Sequence, residues 1–254
     1  MFTRLVQIRV KEGFIPAVTR LYEKLVLGSL NGAMGCRYAS LLASHRRAEE
    51  CLAFTLWETE EEALACERGG LLSSLLEQAG PFLVPSSESR LQLSDDLRLE
   101  YVEVTETPSI SSLPVAAGGP APGQPGTALW LRLVSLRVRP GRLEEFKRLY
   151  TEKAIPALRS LEGCRFIYLL EVPDRPSTVI SVTGWDRREA AEEYERTGMF
   201  DRLLEAQKDL LSDLYRWKRE QDAGTTSVTS DDLTVDHYAV LCEKVYGTGA
   251  GSRA

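Results

Sequence analysis

The chain has 254 residues, of which 43% are hydrophobic and 27% charged, with a formal net charge of −6. This size suits one large domain or two small ones of ordinary globular composition. With 31 basic residues spread against 37 acidic ones, no clustered positive surface for nucleic acid is expected, and no apolar run approaches the roughly 20 residues of a membrane span.

Met1-Phe2-Thr3-Arg4 leads directly into a strand-like segment without a signal-peptide core, so a cytoplasmic chain is expected. Arg4 to Val10 reads as a strand, Gly13 as the turn after it, and Gly35 as the end of the helix that follows. The second strand leads to a hairpin loop holding His45, and the third ends at Trp57. The only other histidine is His237, so a multi-histidine metal site is excluded. The five cysteines, Cys36, Cys51, Cys66, Cys164 and Cys242, form no CxxC pair and read as reduced, mostly buried thiols.

Shifted by 128 residues, the chain aligns with itself without a gap from Arg4 to Glu77, roughly a third of the positions being identical. The identities include Arg4/Arg132, Tyr22/Tyr150, Gly35/Gly163, Trp57/Trp185 and Glu67/Glu195. Ser94-Asp95-Asp96-Leu97 recurs as Ser230-Asp231-Asp232-Leu233, which places an eight-residue insertion in the second copy. The expected organisation is a first repeat over 1–106, a linker over 107–127, a second repeat over 128–246 and a flexible tail over 247–254. Thr107 to Thr127 holds five prolines, four glycines and no charge; as a flexible coil it would span about 25 Å.

The second copy is the clearer one. Leu143, Phe146, Leu149, Tyr150 and Leu158 form a helical apolar stripe. Strands follow at Cys164–Leu170 and Thr178–Trp185, joined by a turn at Pro173-Asp174-Arg175-Pro176. A second helix starts near Arg187, is interrupted at Gly198, and continues as an amphipathic stretch from Met199 to Arg219; Leu233 to Val245 reads as the last strand. Each copy is therefore a βαββαβ, ferredoxin-like unit. The expected fold is α+β: two tandem repeats meet through their open sheet faces and close an intramolecular barrel around a ligand cavity.

The segments Ile155-Pro156-Ala157-Leu158, Leu161-Glu162-Gly163-Cys164, Val182-Thr183-Gly184-Trp185-Asp186 and Thr197-Gly198-Met199-Phe200 resemble the antibiotic-biosynthesis-monooxygenase family of dimeric α+β barrels. Gly35-Cys36-Arg37 and Leu56-Trp57-Glu58 repeat the pattern in the first copy. The tandem length is similar to that of ring-opening oxygenases of angucycline-type polyketide pathways. The resemblance implies an oxygenase acting on a polycyclic aromatic hydroquinone or anthrone, with O2 as co-substrate and no tightly bound cofactor or metal. Electrons would come from the substrate's own ring, or from reduced flavin brought by a flavin reductase. Trp57 and Trp185 match a cavity tryptophan of the family. An asparagine and a tyrosine found near it in a relative are replaced by Ala53 or Ser181 and by Ala63 or Ala191. Where quinol-oxidising members carry histidines, Tyr194, Met199, Cys66 and Leu71 stand. Heme degradation is disfavoured, because Val134, Tyr194 and Leu204 occupy the positions that branch uses.

Period-two geometry groups Ser181, Thr183 and Trp185 on one face of the third strand, and Ala53, Thr55 and Trp57 in the first copy. These faces are expected to point into the shared barrel interior, with Ile180 and Val182 against the helices. Trp185 and His237 are the candidate catalytic residues, His237 as a base not oriented by its neighbour Asp236. Trp57, Thr55, Tyr168, Ser181, Thr183, Tyr194 and Phe200 are the candidate substrate contacts, the last two flanking a mobile lip at Gly198. The alternative reading is a non-catalytic module for a quinone-like small molecule. The amphipathic stretch from Leu210 to Trp217 would also suit a homodimer contact.

Overall fold

The computed structural model describes residues 1–86, 89–93, 99–103, 107–108, 110–117, 130–172, 175–212 and 233–246. The first repeat begins with β1 (Phe2–Arg9), α1 (Ile15–Leu21) running into a π-helical turn over Tyr22–Leu27, β2 (Cys36–Ser44), β3 (Glu50–Trp57), α2 (Glu60–Arg68) and α3 (Leu71–Ala79). Short strands β4 (Pro85–Ser86), β5 (Ser89–Leu93), β6 (Leu99–Glu103) and β7 (Thr107–Pro108) precede β8 (Ile110–Ala117). The second repeat comprises β9 (Trp130–Arg137), α4 (Leu143–Leu149) with a π-helical turn over Tyr150–Ala154, α5 (Ile155–Arg159), β10 (Cys164–Glu171), β11 (Thr178–Trp185), α6 (Arg188–Arg196), α7 (Met199–Glu205) and β12 (Leu233–Val245).

Eight strands close one antiparallel barrel in the order β1-β3-β2-β12-β9-β11-β10-β8. The last strand of each repeat pairs with its own first strand and with the other repeat's second strand. Thus β12 lies between β9 and β2, and β8 lies between β1 and β10. This exchange joins the two βαββαβ units into one closed sheet, as the tandem pattern predicts.

Two sequence expectations about the repeat boundary change. The last strand of the first repeat is β8, inside the stretch read as linker, so that repeat extends to Ala117. Ile110 pairs with Ile8 as Leu233 pairs with Leu136, which makes Ile110 and Leu233 equivalent. The repeated Ser-Asp-Asp-Leu tetrapeptides are therefore not equivalent in register; Ser94 to Leu97 and Ser230 to Asp232 lie outside the described residues. The amphipathic stretch from Met199 is also not one helix: α7 ends at Glu205, a short 3-10 turn covers Lys208–Leu210, and Leu211 bridges to Val138. Residues 213–219, the turn residues Pro173 and Asp174, and the tail over 247–254 lie outside the described residues.

Three apolar clusters result. Leu5, Tyr38, Phe54, Leu56, Leu133, Phe166, Tyr168, Leu170, Ile180, Val182 and Tyr238 come from both repeats and fill the barrel interior. The other two clusters lie outside the barrel, between the sheet and the helices of each repeat: Val6, Val18, Tyr22, Ala53 and Trp57 in the first, Val134, Phe146, Tyr150, Trp185 and Tyr194 in the second. The face assignment expected from the sequence is therefore inverted. Ile180 and Val182 face the interior, while Ser181, Thr183 and Trp185 face the helices. The physical reason is width: an eight-stranded barrel leaves an interior that side chains can fill, and bulky apolar residues from seven strands meet there.

Because both repeats contribute to the interior cluster, its loss is felt by the whole barrel. Phe54 is fully buried, with its ring edge against Tyr38 at 5.7 Å. Truncation Phe54→Ala is expected to cost about 3–5 kcal/mol, with both repeats losing protection together in urea followed by hydrogen exchange. Selective loss in the first repeat alone would contradict the shared core.

Candidate functional site

Each repeat holds a cavity between its sheet and its own helices. The first encloses about 610 Å³, including its open mouth, and is lined by Arg4, Tyr22, Thr55, Trp57, Cys66 and Glu67 among others. The second encloses about 390 Å³ and is lined by Arg132, Tyr150, Ser181, Thr183, Tyr194 and Phe200 among others.

The two cavities share a frame. Each tryptophan indole donates to the threonine two residues before it on the same strand: Trp57 Nε1 to Thr55 Oγ1 at 3.0 Å, and Trp185 Nε1 to Thr183 Oγ1 at 2.9 Å. That bond fixes the indole plane and satisfies the one polar group a buried tryptophan must place. Each first strand carries an arginine paired with a glutamate on the helix after the tryptophan. Arg4 bonds Glu67 through both terminal nitrogens at 2.5 Å, and Arg132 Nε bonds Glu195 Oε1 at 2.5 Å. These pairs span 63 residues in both repeats and tie strand to helix at the cavity rim.

The fillings differ. In the second repeat the Tyr194 ring stacks on Trp185 at 5.6 Å with an interplanar angle of 28°. Phe200 meets Tyr194 edge-on, and the Arg132 guanidinium sits 4.1 Å from the Phe200 ring centroid. In the first repeat Cys66 stands where Tyr194 does, Val18 where Phe146 does and Ala53 where Ser181 does. Trp57 consequently lines its cavity, whereas Trp185 lies behind Tyr194. The Tyr150 hydroxyl shares a 2.6 Å hydrogen bond with Ser181, but the buried Tyr22 hydroxyl, facing no such serine, has no hydrogen-bond partner among the described residues. Burial pushes the Cys66 thiol up, against the lowering effect of Arg4, so Cys66 is a small neutral wall residue at neutral pH.

The residues singled out from sequence are thus divided. Trp57 and Thr55 line the first cavity; Ser181, Thr183, Tyr194 and Phe200 line the second. Tyr168 belongs to neither: it packs in the barrel interior beside Phe166. Trp185 is fully buried and does not border the cavity. His237 lies on the helix-facing side of β12, where its Nε2 is 3.1 Å from Glu195 Oε1; it does not line the second cavity. Asp236, on the opposite face, pairs with Arg47. His45 is exposed, its ring edge-on to Trp130. The residues missed as site members are the Arg–Glu pairs, although all four appear among the repeat identities; preservation of both partners in both copies was the available signal.

Glu195 shows how the rim is held. Burial acts to raise its carboxyl, but hydrogen bonding to His237 and the Arg132 guanidinium outweigh it and set the carboxyl at about 2. A carboxyl lowered on folding stabilises above its ordinary value of 4.5, and this contribution is lost as the pH falls from there towards 2. Thermal melts from pH 6 to 2 are expected to show this acid loss in the wild type and a flatter profile in Glu195→Gln. An unchanged profile would contradict the network.

Comparison with known proteins agrees with this architecture. A candidate monooxygenase of Lactobacillus acidophilus superposes with a TM-score of 0.65 at 10% identity, over 97% of this chain and 96% of that one. A candidate monooxygenase of Fusobacterium nucleatum gives 0.66 at 9%, over 97% and 94%. An anthrone oxidase-like protein gives 0.53 at 15%, over 97% and 93%. At these identities the likeness is one of fold. No curated protein matches the chain by sequence. Among the described residues no helix is long and apolar enough to cross a membrane. Residues 1–68 and 131–206 each match the family described as Antibiotic biosynthesis monooxygenase, which together is more than half of the chain; the protein belongs to that family, with two copies of its domain in one polypeptide.

Proposed function

We propose that the protein is an oxygenase of polycyclic aromatic hydroquinones or anthrones, with O2 as co-substrate and no bound metal. The observation that carries this reading is the first cavity: an apolar slot with an indole fixed on its wall and one ion pair at its rim. An aromatic ligand stacks on the Trp57 indole, whose plane is set by Thr55. Glu67 accepts the proton from the acidic C–H or O–H of the substrate; its neutralisation loosens the pairing with Arg4, whose guanidinium then stabilises the resulting anion. The electron-rich anion then reacts with O2.

For an anthrone the balance closes without another reductant. The ring methylene loses two hydrogens, one oxygen atom becomes the new carbonyl, and the other leaves as water. The substrate supplies all four electrons. A flavin nucleotide would need a cation for its phosphate in addition to an apolar slot. Arg4, the arginine lining the first cavity, is engaged by Glu67 through both terminal nitrogens, so these residues do not fit that group and no step is assigned to it. The second reading, a binding module for quinone-like molecules, is favoured by Ala53 and Ala63, small apolar residues lining the cavity where a relative carries polar ones.

Oxygen uptake with 1,8-dihydroxyanthrone, measured above the uncatalysed rate, separates the two. The oxygenase reading expects one O2 consumed per anthrone and one atom of ¹⁸O₂ in the quinone. Glu67→Gln should lower kcat by about 100-fold with binding retained. Binding without accelerated uptake would leave only the binding module.

A further inference from the structure

The two repeats hold the same frame with one cavity filled and the other open, so one half of the molecule describes what the other half lacks. In the second repeat a phenol ring, Tyr194, lies stacked on the indole of Trp185, 5.6 Å between centroids and 28° between planes. The Arg132 guanidinium is 5.3 Å from the centre of that same ring. Trp185, Thr183, Arg132 and Glu195 have identical counterparts in Trp57, Thr55, Arg4 and Glu67. The counterpart of Tyr194 is Cys66, which ends at a sulfur one bond beyond Cβ and leaves the place of the ring empty. The neighbouring positions follow the same trend. Phe146 becomes Val18 and Gln207 becomes Ala79, and the cavity grows from about 390 to about 610 Å³.

We infer that the first repeat alone is the ligand-binding half, and that its ligand is a planar phenolic or quinonoid ring stacked on Trp57 in the place that Tyr194 takes on Trp185. The inference rests on the reading of the first cavity as the substrate site and adds to it the pose, the ring class and a stoichiometry of one. Tyr194 acts as a built-in ligand of the second repeat: it satisfies the indole face and shares the space with Phe200, whose ring covers Arg132. An external ring cannot reach the Trp185 indole without displacing Tyr194. In the first repeat the indole face is unoccupied by any aromatic partner among the described residues. The buried Tyr22 hydroxyl, without a partner among the described residues, favours an oxygen-bearing ring over a bare hydrocarbon, because an acceptor there satisfies a donor that is costly to leave unmatched.

The test is anaerobic titration of the full chain with 1,8-dihydroxyanthraquinone by calorimetry, with oxygen uptake on 1,8-dihydroxyanthrone as a separate measurement. The wild type should bind one molecule per chain. Cys66→Tyr should supply the missing ring and weaken binding at least 10-fold while keeping the wild-type melting temperature. Tyr194→Cys should bind two, since it opens the second indole; this gain of a site cannot arise from misfolding. Two molecules on the wild type, undiminished binding by folded Cys66→Tyr, or only one molecule on Tyr194→Cys would each overturn the inference. The underlying reading fails separately. The expected titrations without accelerated oxygen uptake would leave the binding site standing and remove the oxygenase, whereas uptake persisting in Cys66→Tyr would do the reverse.

Discussion

The rest of the structure follows from the closure of eight strands into one barrel. Closure leaves no free edge and fixes an interior that side chains from seven strands fill. Phe54, Phe166, Tyr168 and Tyr238 meet there with the leucines of both repeats. Among the described residues, the two cavities lie outside the barrel, where helices cross a sheet whose outward residues vary in size. Each repeat thereby acquires a private cavity, and the two are free to diverge without disturbing the shared core.

That freedom is visible in what the duplication kept and what it changed. Kept in both copies are the tryptophan-to-threonine hydrogen bond and the arginine–glutamate tie from strand to helix. A buried charge without its partner is strongly destabilising. Arg132 is only 2% exposed, so loss of either member would be felt at once, and the pair persists whether or not its cavity is used. Changed are the residues that decide whether the space is occupied: Cys66 against Tyr194, Val18 against Phe146, Ala53 against Ser181. A tandem chain can let one copy become a scaffold while the other remains available for chemistry.

The sequence showed the architecture through self-similarity. A fixed offset, the glycines Gly35 and Gly163 at left-handed positions and the two strand-ending tryptophans were enough to define two βαββαβ units. It did not show which strand face turned inward. Ser181 and Thr183 look like ligand contacts and Ile180 and Val182 like helix contacts, yet alternation is symmetric about the strand and says nothing of which side closes into a barrel. The same ambiguity covers Tyr168, which belongs to the core. The end of the first repeat was hidden by composition: Leu113-Pro114 and the surrounding small residues resemble a linker, but this strand is paired at the barrel seam between β1 and β10. His237 stands out because histidine is rare in this sequence, while its partner Glu195 is one of many glutamates; only the fold brings residues 42 apart into contact.

The central claim is that accessible space lies between sheet and helices and not inside the barrel. Diffraction from crystals pressurised with xenon tests it directly, since the gas enters apolar voids without specific chemistry. The account predicts a strong anomalous peak beside Trp57 and Cys66. A peak among Phe54, Phe166 and Val182, with none beside Trp57, would contradict it.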